Sequence, residues 1–263
     1  ARQVFVDLAD DQIGRARYEL APDDSFDFFP EWKVKEREWL AEQGAAFVSI
    51  VSQSPDLLKG IDSKRIATFQ KAAGTALNKY RQYVQSDKIS WTVIASPSEA
   101  WAEKVFPNLP KEKQVDALWD AIFKATRSDL DNPVEAWTKH NDTLHEKVHY
   151  LNAKKYAKLH YTAPGTDLTI ELPKGHLWCG AGSVNEKGEE FMANMPTEEV
   201  FTVPHKDGVN GYVSSTKPLS YGGNIIDNFK ITFENGRITK VEAEQGEEVL
   251  KNLVATDEGS HRL

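Results

Sequence analysis

Two short runs hold residue types that can do metal chemistry. His145-Glu146-Lys147-Val148-His149 follows the His-Glu-x-x-His spacing. On a helix it sets two imidazoles one turn apart to bind Zn²⁺, with the glutamate between them as general base toward a metal-bound water. The second run is Asn194-Met195-Pro196-Thr197-Glu198-Glu199-Val200-Phe201-Thr202, where two adjacent acids follow a proline and precede a β-prone Val-Phe-Thr stretch. Neighbours on a strand point to opposite faces, so one of Glu198 and Glu199 can face a cleft while the other faces away. A carboxylate presented in that way suits a hard or borderline divalent cation. Taken alone, a Glu-Glu pair more often marks solvated surface.

The element that carries the first run argues against it. Asn132 can cap a helix that begins at Pro133 and buries Val134, Trp137, Leu144, Val148 and Leu151. At about 100° per residue, His145 lies roughly 90° from the centre of that stripe and His149 roughly 130°. Both imidazoles then point to the polar flank, whereas a catalytic zinc needs a shielded, supported cleft. The nearest downstream candidate for a third ligand, Glu171, falls in the strand-like run Asp167-Leu168-Thr169-Ile170-Glu171-Leu172. A solvated helix face is therefore the expectation, with a His-Glu-x-x-His zinc endopeptidase as the alternative.

The remaining elements sort into two halves. Ala45 to Val51 and Ile89 to Ala95 are short, nearly continuous apolar runs, as expected of strands buried on both faces of a parallel sheet. Between them Ile66, Phe69, Ala73, Ala76, Leu77, Tyr80 and Val84 form one helical stripe, with Asp62 or Ser63 as cap. Strand, helix, strand at this length is a βαβ crossover. A helix over about 111–126 buries Val115, Leu118, Trp119, Ile122 and Phe123. Beyond about residue 155, Tyr156 to Leu172 and Gly208 to Thr216 read as strands with glycine-rich connections. Phe229 to Ala243 reads as a hairpin turning at Asn235-Gly236. Ile238 and Val241 differ in parity, so a bulge is expected in the second strand of that hairpin. A short helix over 247–255 follows. The expected fold is α/β: a layered α/β domain with a largely parallel sheet over 1–155, then a β-rich α+β metal-binding domain over 156–263.

The formal net charge of -8 disfavours nucleic acid as a partner, since phosphate binding needs a basic patch. A single cysteine, Cys179, permits no internal disulfide, as a cytoplasmic protein would have it. No apolar run approaches the roughly 20 residues needed to span a bilayer. The chain opens in the strand-like run Arg2-Gln3-Val4-Phe5-Val6 without a methionine, which reads as a piece of something longer.

Many ordered segments resemble one family, the thermophilic aminopeptidases of the M29 metallopeptidase class. They are Arg15-Ala16-Arg17-Tyr18-Glu19, Leu151-Asn152-Ala153-Lys154, Leu159-His160-Tyr161, Gly165-Thr166-Asp167-Leu168 and Leu172-Pro173 with His176 and Trp178. The densest stretch is Asn194 to Pro204, followed by Gly208-Val209, Val213 to Leu219, Gly246 to Leu250 and Asp257-Glu258-Gly259. The resemblance implies a two-metal aminopeptidase that removes N-terminal residues from peptides, with zinc, cobalt or magnesium as its divalent ions. It also implies a homodimer whose active sites face an enclosed cavity, and places His145 to His149 outside the site. One family ligand is a glutamate of the Pro-Thr-Glu-Glu motif, assigned here to Glu199, with Glu198 as the alternative. The remaining ligands, a second glutamate, two histidines, a tyrosine and an aspartate, are expected beyond Leu263. The first strand and helix of the α/β domain are expected before Ala1. On that reading this stretch holds one ligand of about six and is inactive alone. His160, His176 and His205 are expected in packing or hydrogen-bonding roles, and Tyr221-Gly222-Gly223 as a turn or a substrate approach. A non-catalytic scaffold or dimerisation piece is the alternative from another class.

Overall fold

In a computed structural model the chain is described over residues 3–263. The first half contains helices α1 (Asp11–Leu20) and α2 (Glu31–Glu42), then strand β1 (Phe47–Val51). Helices α3 (Ser63–Ala76) and α4 (Asn78–Gln85) lead to strand β2 (Trp91–Ala95). Helices α5 (Glu99–Val105), α6 (Lys111–Ala125) and α7 (Pro133–Lys154) complete it. β1 and β2 pair in parallel, Phe47 opposite Trp91 through Val51 opposite Ala95, with α3 and α4 as the crossover. The expected βαβ unit is therefore present.

Three sequence expectations for this half are corrected. The single helix spanning Ile66 to Val84 is broken at Leu77 (ψ 12°), and Arg81 Nη2 donates to the Gly74 carbonyl at 2.6 Å beside the break. β1 is not buried on both faces: Val48 and Ile50 are each 63% exposed. Its apolar run is explained by strand propensity, but among the described residues a strand pairs with it only on the β2 side. The opening run Val4-Phe5-Val6 is not a strand; Val4 and Val6 are exposed, and Phe5 meets Trp39 edge-on at 6.2 Å. A β-prone run becomes a strand only by pairing with another strand's edge, and among the described residues none pairs with it; Arg2 of that run falls outside the described residues.

The second half is strand-rich. It runs through β3 (Lys158–Ala163), β4 (Thr166–Glu171), β5 (Cys179–Gly180), β6 (Ser183–Val184), β7 (Glu190–Phe191) and β8 (Val200–Phe201). β9 (Val209–Ser214), β10 (Leu219–Tyr221), β11 (Asn224–Glu234), β12 (Arg237–Gln245) and helix α8 (Glu247–Val254) follow. The main sheet is antiparallel in the order β10-β11-β9-β4-β3, with β12 also on β11. Its core is Leu168, Val209 and Phe233, packed by Ile170, Val213, Ile231 and Ile238.

The β11–β12 hairpin turns at Asn235 (φ 50°) and Gly236 (φ 80°), the left-handed pair that a two-residue hairpin loop requires. Thr232 pairs with Lys240 and Phe233 with Ile238, so Thr239 is the extra residue of a bulge in the second strand, as parity predicts. Gly222 and Gly223, both at positive φ, turn β10 into β11, and Tyr221 Oη donates to Gln70 Oε1 at 3.2 Å. The turn reading of Tyr221-Gly222-Gly223 therefore holds.

The segment before the two acids ties the halves together. Val93 N donates to Ala193 O and Met195 N donates to Val93 O, so residues 193–195 lie parallel along the outer edge of β2. Asn185 Nδ2 reaches Ser90 Oγ at 2.9 Å, and Asn252 Nδ2 reaches Ser63 Oγ at 2.7 Å.

Candidate metal centre

The Asn194 to Phe201 run crosses from the edge of β2 to strand β8. After the cis Met195–Pro196 bond, Thr197, Glu198 and Glu199 pass over the junction of α6 and α7. β8 then pairs with β5, Val200 opposite Gly180. Gly180 has φ 149°, and a Cβ there would stand 2.6 Å from the Glu199 carbonyl oxygen and 2.9 Å from Val200 Cα. Only glycine lets β5 approach the acids so closely.

The two carboxylates have opposite surroundings. Glu198 is held in a fork: Arg127 Nη1 donates to Oε1 at 2.6 Å and Nη2 to Oε2 at 3.1 Å. That paired, charge-assisted geometry is the strongest kind of carboxylate contact. The Arg127 hydrogen bond, partly opposed by desolvation and aided by the Arg127 charge, holds the Glu198 carboxyl below its ordinary range. Glu199 is exposed, and its carboxylate has no hydrogen bond or ion pair among the described residues.

Arg127 and His140 were not singled out from sequence. Arg127 follows the α6 C-cap and sits at φ 58°, a left-handed position usually given to glycine. Its guanidinium lies 5.2 Å from the Trp137 ring centroid, and Trp137 Nε1 donates to Thr126 O at 2.6 Å. His140 Nε2 is 2.7 Å from Thr197 O and Nδ1 is 3.3 Å from Arg127 Nη2. A carbonyl only accepts and a guanidinium only donates, which assigns the Nε2–H tautomer. No spacing pattern links positions 71 residues apart. The one local signal was a non-glycine residue where helix α6 stops.

The other sequence candidates fall elsewhere. On α7, His145 is half-buried and His149 exposed, their ring centroids 6.5 Å apart, and Leu144 is the one buried residue of the helix. His160 Nε2 pairs with Asp167 Oδ1 across the β3–β4 hairpin at 2.8 Å. His176 Nδ1 lies 2.7 Å from Pro173 O, and His205 Nδ1 accepts from Asp207 N at 3.3 Å. All three make the local hydrogen bonds expected of them.

A resident divalent ion can be tested against this donor set. Glu199 offers carboxylate oxygens with free lone pairs, which suits such an ion. Among the described residues, however, no group of three His, Cys, Asp or Glu side chains converges as a metal site requires. Glu199 is thus a candidate for a single donor, with no second donor assembled beside it into a metal site among the described residues.

Fold and motif together define a mixed α/β chain that presents an acidic Thr-Glu-Glu run between the edge of the small parallel sheet and the short β5–β8 pair. The family described as "Thermophilic metalloprotease (M29)" matches residues 1–263, and the chain belongs to it. It is 65% identical over 263 residues to Aminopeptidase AmpS of Bacillus subtilis (strain 168), covering 100% of this chain and 64% of that protein. It is 48% identical to Aminopeptidase 2 of Geobacillus stearothermophilus, with the same 100% and 64% coverage. The solved structure of wild-type AmpT from Thermus thermophilus superposes with a TM-score of 0.87 at 38% identity, covering 98% of this chain and 63% of that one. The chain thus spans somewhat under two thirds of the length of these relatives.

Proposed function

We propose that the protein is a metal-dependent aminopeptidase that removes N-terminal residues from peptides, and that Glu199 is one of its metal ligands. The observation that carries this reading is the division of labour between the two acids: Arg127 occupies both oxygens of Glu198, while Glu199 is exposed and unpaired among the described residues. The relatives named aminopeptidases support the reaction class.

When bound, paired divalent ions polarise a scissile carbonyl and acidify a water. This chain's part is to supply one carboxylate oxygen donor, steadied by Gly180 against its backbone and by the Glu198 fork beside it. Two ions per complete site, drawn from zinc, cobalt or magnesium, belong to the proposal, as do peptides with a free amino terminus, a homodimer and a cytoplasmic location. No helix among the described residues is long and apolar enough to cross a membrane. The division into units 1–155 and 156–263 stands as part of the same proposal. A polypeptide of these 263 residues alone is expected to be inactive, because one carboxylate cannot hold two ions.

The test uses the native protein on matched peptides with free and acetylated amino ends, before and after chelation. Release of amino acids from the free peptide only, lost with chelator and restored by Zn²⁺ or Co²⁺, is the expected result. Cleavage of the acetylated peptide at internal bonds would sink this reading in favour of an endopeptidase.

A further inference from the structure

The structure assigns Arg127 and His140 as positioning residues that hold the Thr197–Glu199 backbone so that the Glu199 carboxylate is presented at a fixed place. The inference rests on the proposed role of Glu199 as a metal ligand.

Four observations converge on it. The Arg127 fork grips the side chain immediately before Glu199. His140 grips the backbone one residue earlier, through the Thr197 carbonyl. Arg127 and His140 also bond each other at 3.3 Å, and both pack against Trp137, Arg127 at 5.2 Å and His140 edge-on at 5.6 Å between centroids. Finally, Arg127 adopts φ 58°, a conformation that glycine takes more cheaply.

The anchor is set apart from ordinary surface pairing by its bracing. The Arg127 and His140 side chains are 24% and 15% exposed, against 55% for the Glu198 they hold. On the far side of Glu199, β8 is pinned to β5 through Gly180. Glu199 is therefore the free side chain of a segment tethered at both ends, which suits a ligand that must not wander when bound metal pulls on it. Outer contacts that orient a ligand typically change metal affinity about ten- to a hundredfold when removed.

The experiment compares the native protein with Arg127→Met, Arg127→Lys, His140→Phe, His140→Gln and Glu199→Gln. Affinities for Co²⁺ and Zn²⁺ are measured by chelator competition, with the Co²⁺ absorption spectrum as a signature of ligand geometry. Values of kcat and KM on an aminoacyl p-nitroanilide and the melting temperature of the chelated protein complete the set. Arg127→Met and His140→Phe are expected to weaken metal binding about ten- to a hundredfold and to lower kcat more than they raise KM. His140→Gln, which can still donate to Thr197 O, should recover most of the loss. Arg127→Lys, which keeps charge without the fork, should recover little. If Glu199→Gln weakens binding while Arg127→Met and His140→Phe do not, the positioning role is wrong. If Glu199→Gln binds metal like the unchanged protein, the proposed role of Glu199 fails and the inference fails with it. Should Arg127→Met not fold, the His140→Phe and His140→Gln pair decides: equal metal affinity in the two overturns the inference, and a selective loss in the phenylalanine variant upholds it.

Discussion

Arg127 and Glu198 lie 71 positions apart in the chain and close on each other through two parallel N–H···O bonds of 2.6 and 3.1 Å. This pair decides which of two adjacent acids is available for anything else. Glu198 is occupied, and Glu199 is left as the exposed neighbour.

The same pair gives a pH dependence with a definite sign. The Glu198 carboxyl is lowered in the folded state, mainly by the Arg127 hydrogen bond, so it binds fewer protons folded than unfolded. Its contribution is complete above the unfolded value of about 4.3 and disappears as pH falls through the lower folded value. Glu198→Gln should therefore melt below the unchanged protein at neutral pH, and the gap should shrink as pH is lowered through that window. A gap that stays constant into strong acid would show that the fork contributes nothing to stability.

Gly180→Ala tests the close approach of β5 to the acids. A methyl group 2.6 Å from the Glu199 carbonyl oxygen must push strand β8 away. The expected cost is about 1–3 kcal/mol in urea unfolding, from overpacking and the left-handed backbone. Wild-type stability in this variant would mean that β8 yields freely.

Asn152 spans from α7 to the buried Trp178 backbone, with Nδ2 donating to Trp178 O at 2.9 Å and Oδ1 accepting from Trp178 N at 2.8 Å. Asn152→Ala strands both groups and should cost about 1–3 kcal/mol by denaturant titration. Asn152→Asp keeps the acceptor and loses the donor, so it should fall between the alanine variant and the unchanged chain.

His149→Ala separates the two motifs. Its exposed imidazole faces the His145 ring on the same helix, 6.5 Å away between centroids. The substitution is expected to change stability by no more than about 0.5 kcal/mol and to leave metal-dependent peptide cleavage unaltered. Loss of that cleavage with the fold intact would restore the His-Glu-x-x-His run as the site.

Local chemistry was legible in the residue order. The cap and first turn of α7, the Asn235-Gly236 turn and the bulge at Thr239 all depend on interactions within a few positions, so their patterns stand in the sequence itself. The polar flank of α7 was legible only in part: His149 is exposed as periodicity expects, but His145 is half-buried, and Val134 of the expected buried stripe is 77% exposed. The break at Leu77 was not legible, because a continuous apolar stripe is equally compatible with one helix or two. Nor was the exposure of β1, since an apolar run reports what a strand can bury and not what covers it. Glu198 and Glu199 were interchangeable on paper because strand alternation permits either to face a cleft. Tertiary structure separated them by bringing Arg127 from the end of α6 and His140 from α7 onto one of them. Periodicity encodes neighbours along an element, whereas a bond between residues so distant in the chain exists only once the elements have packed.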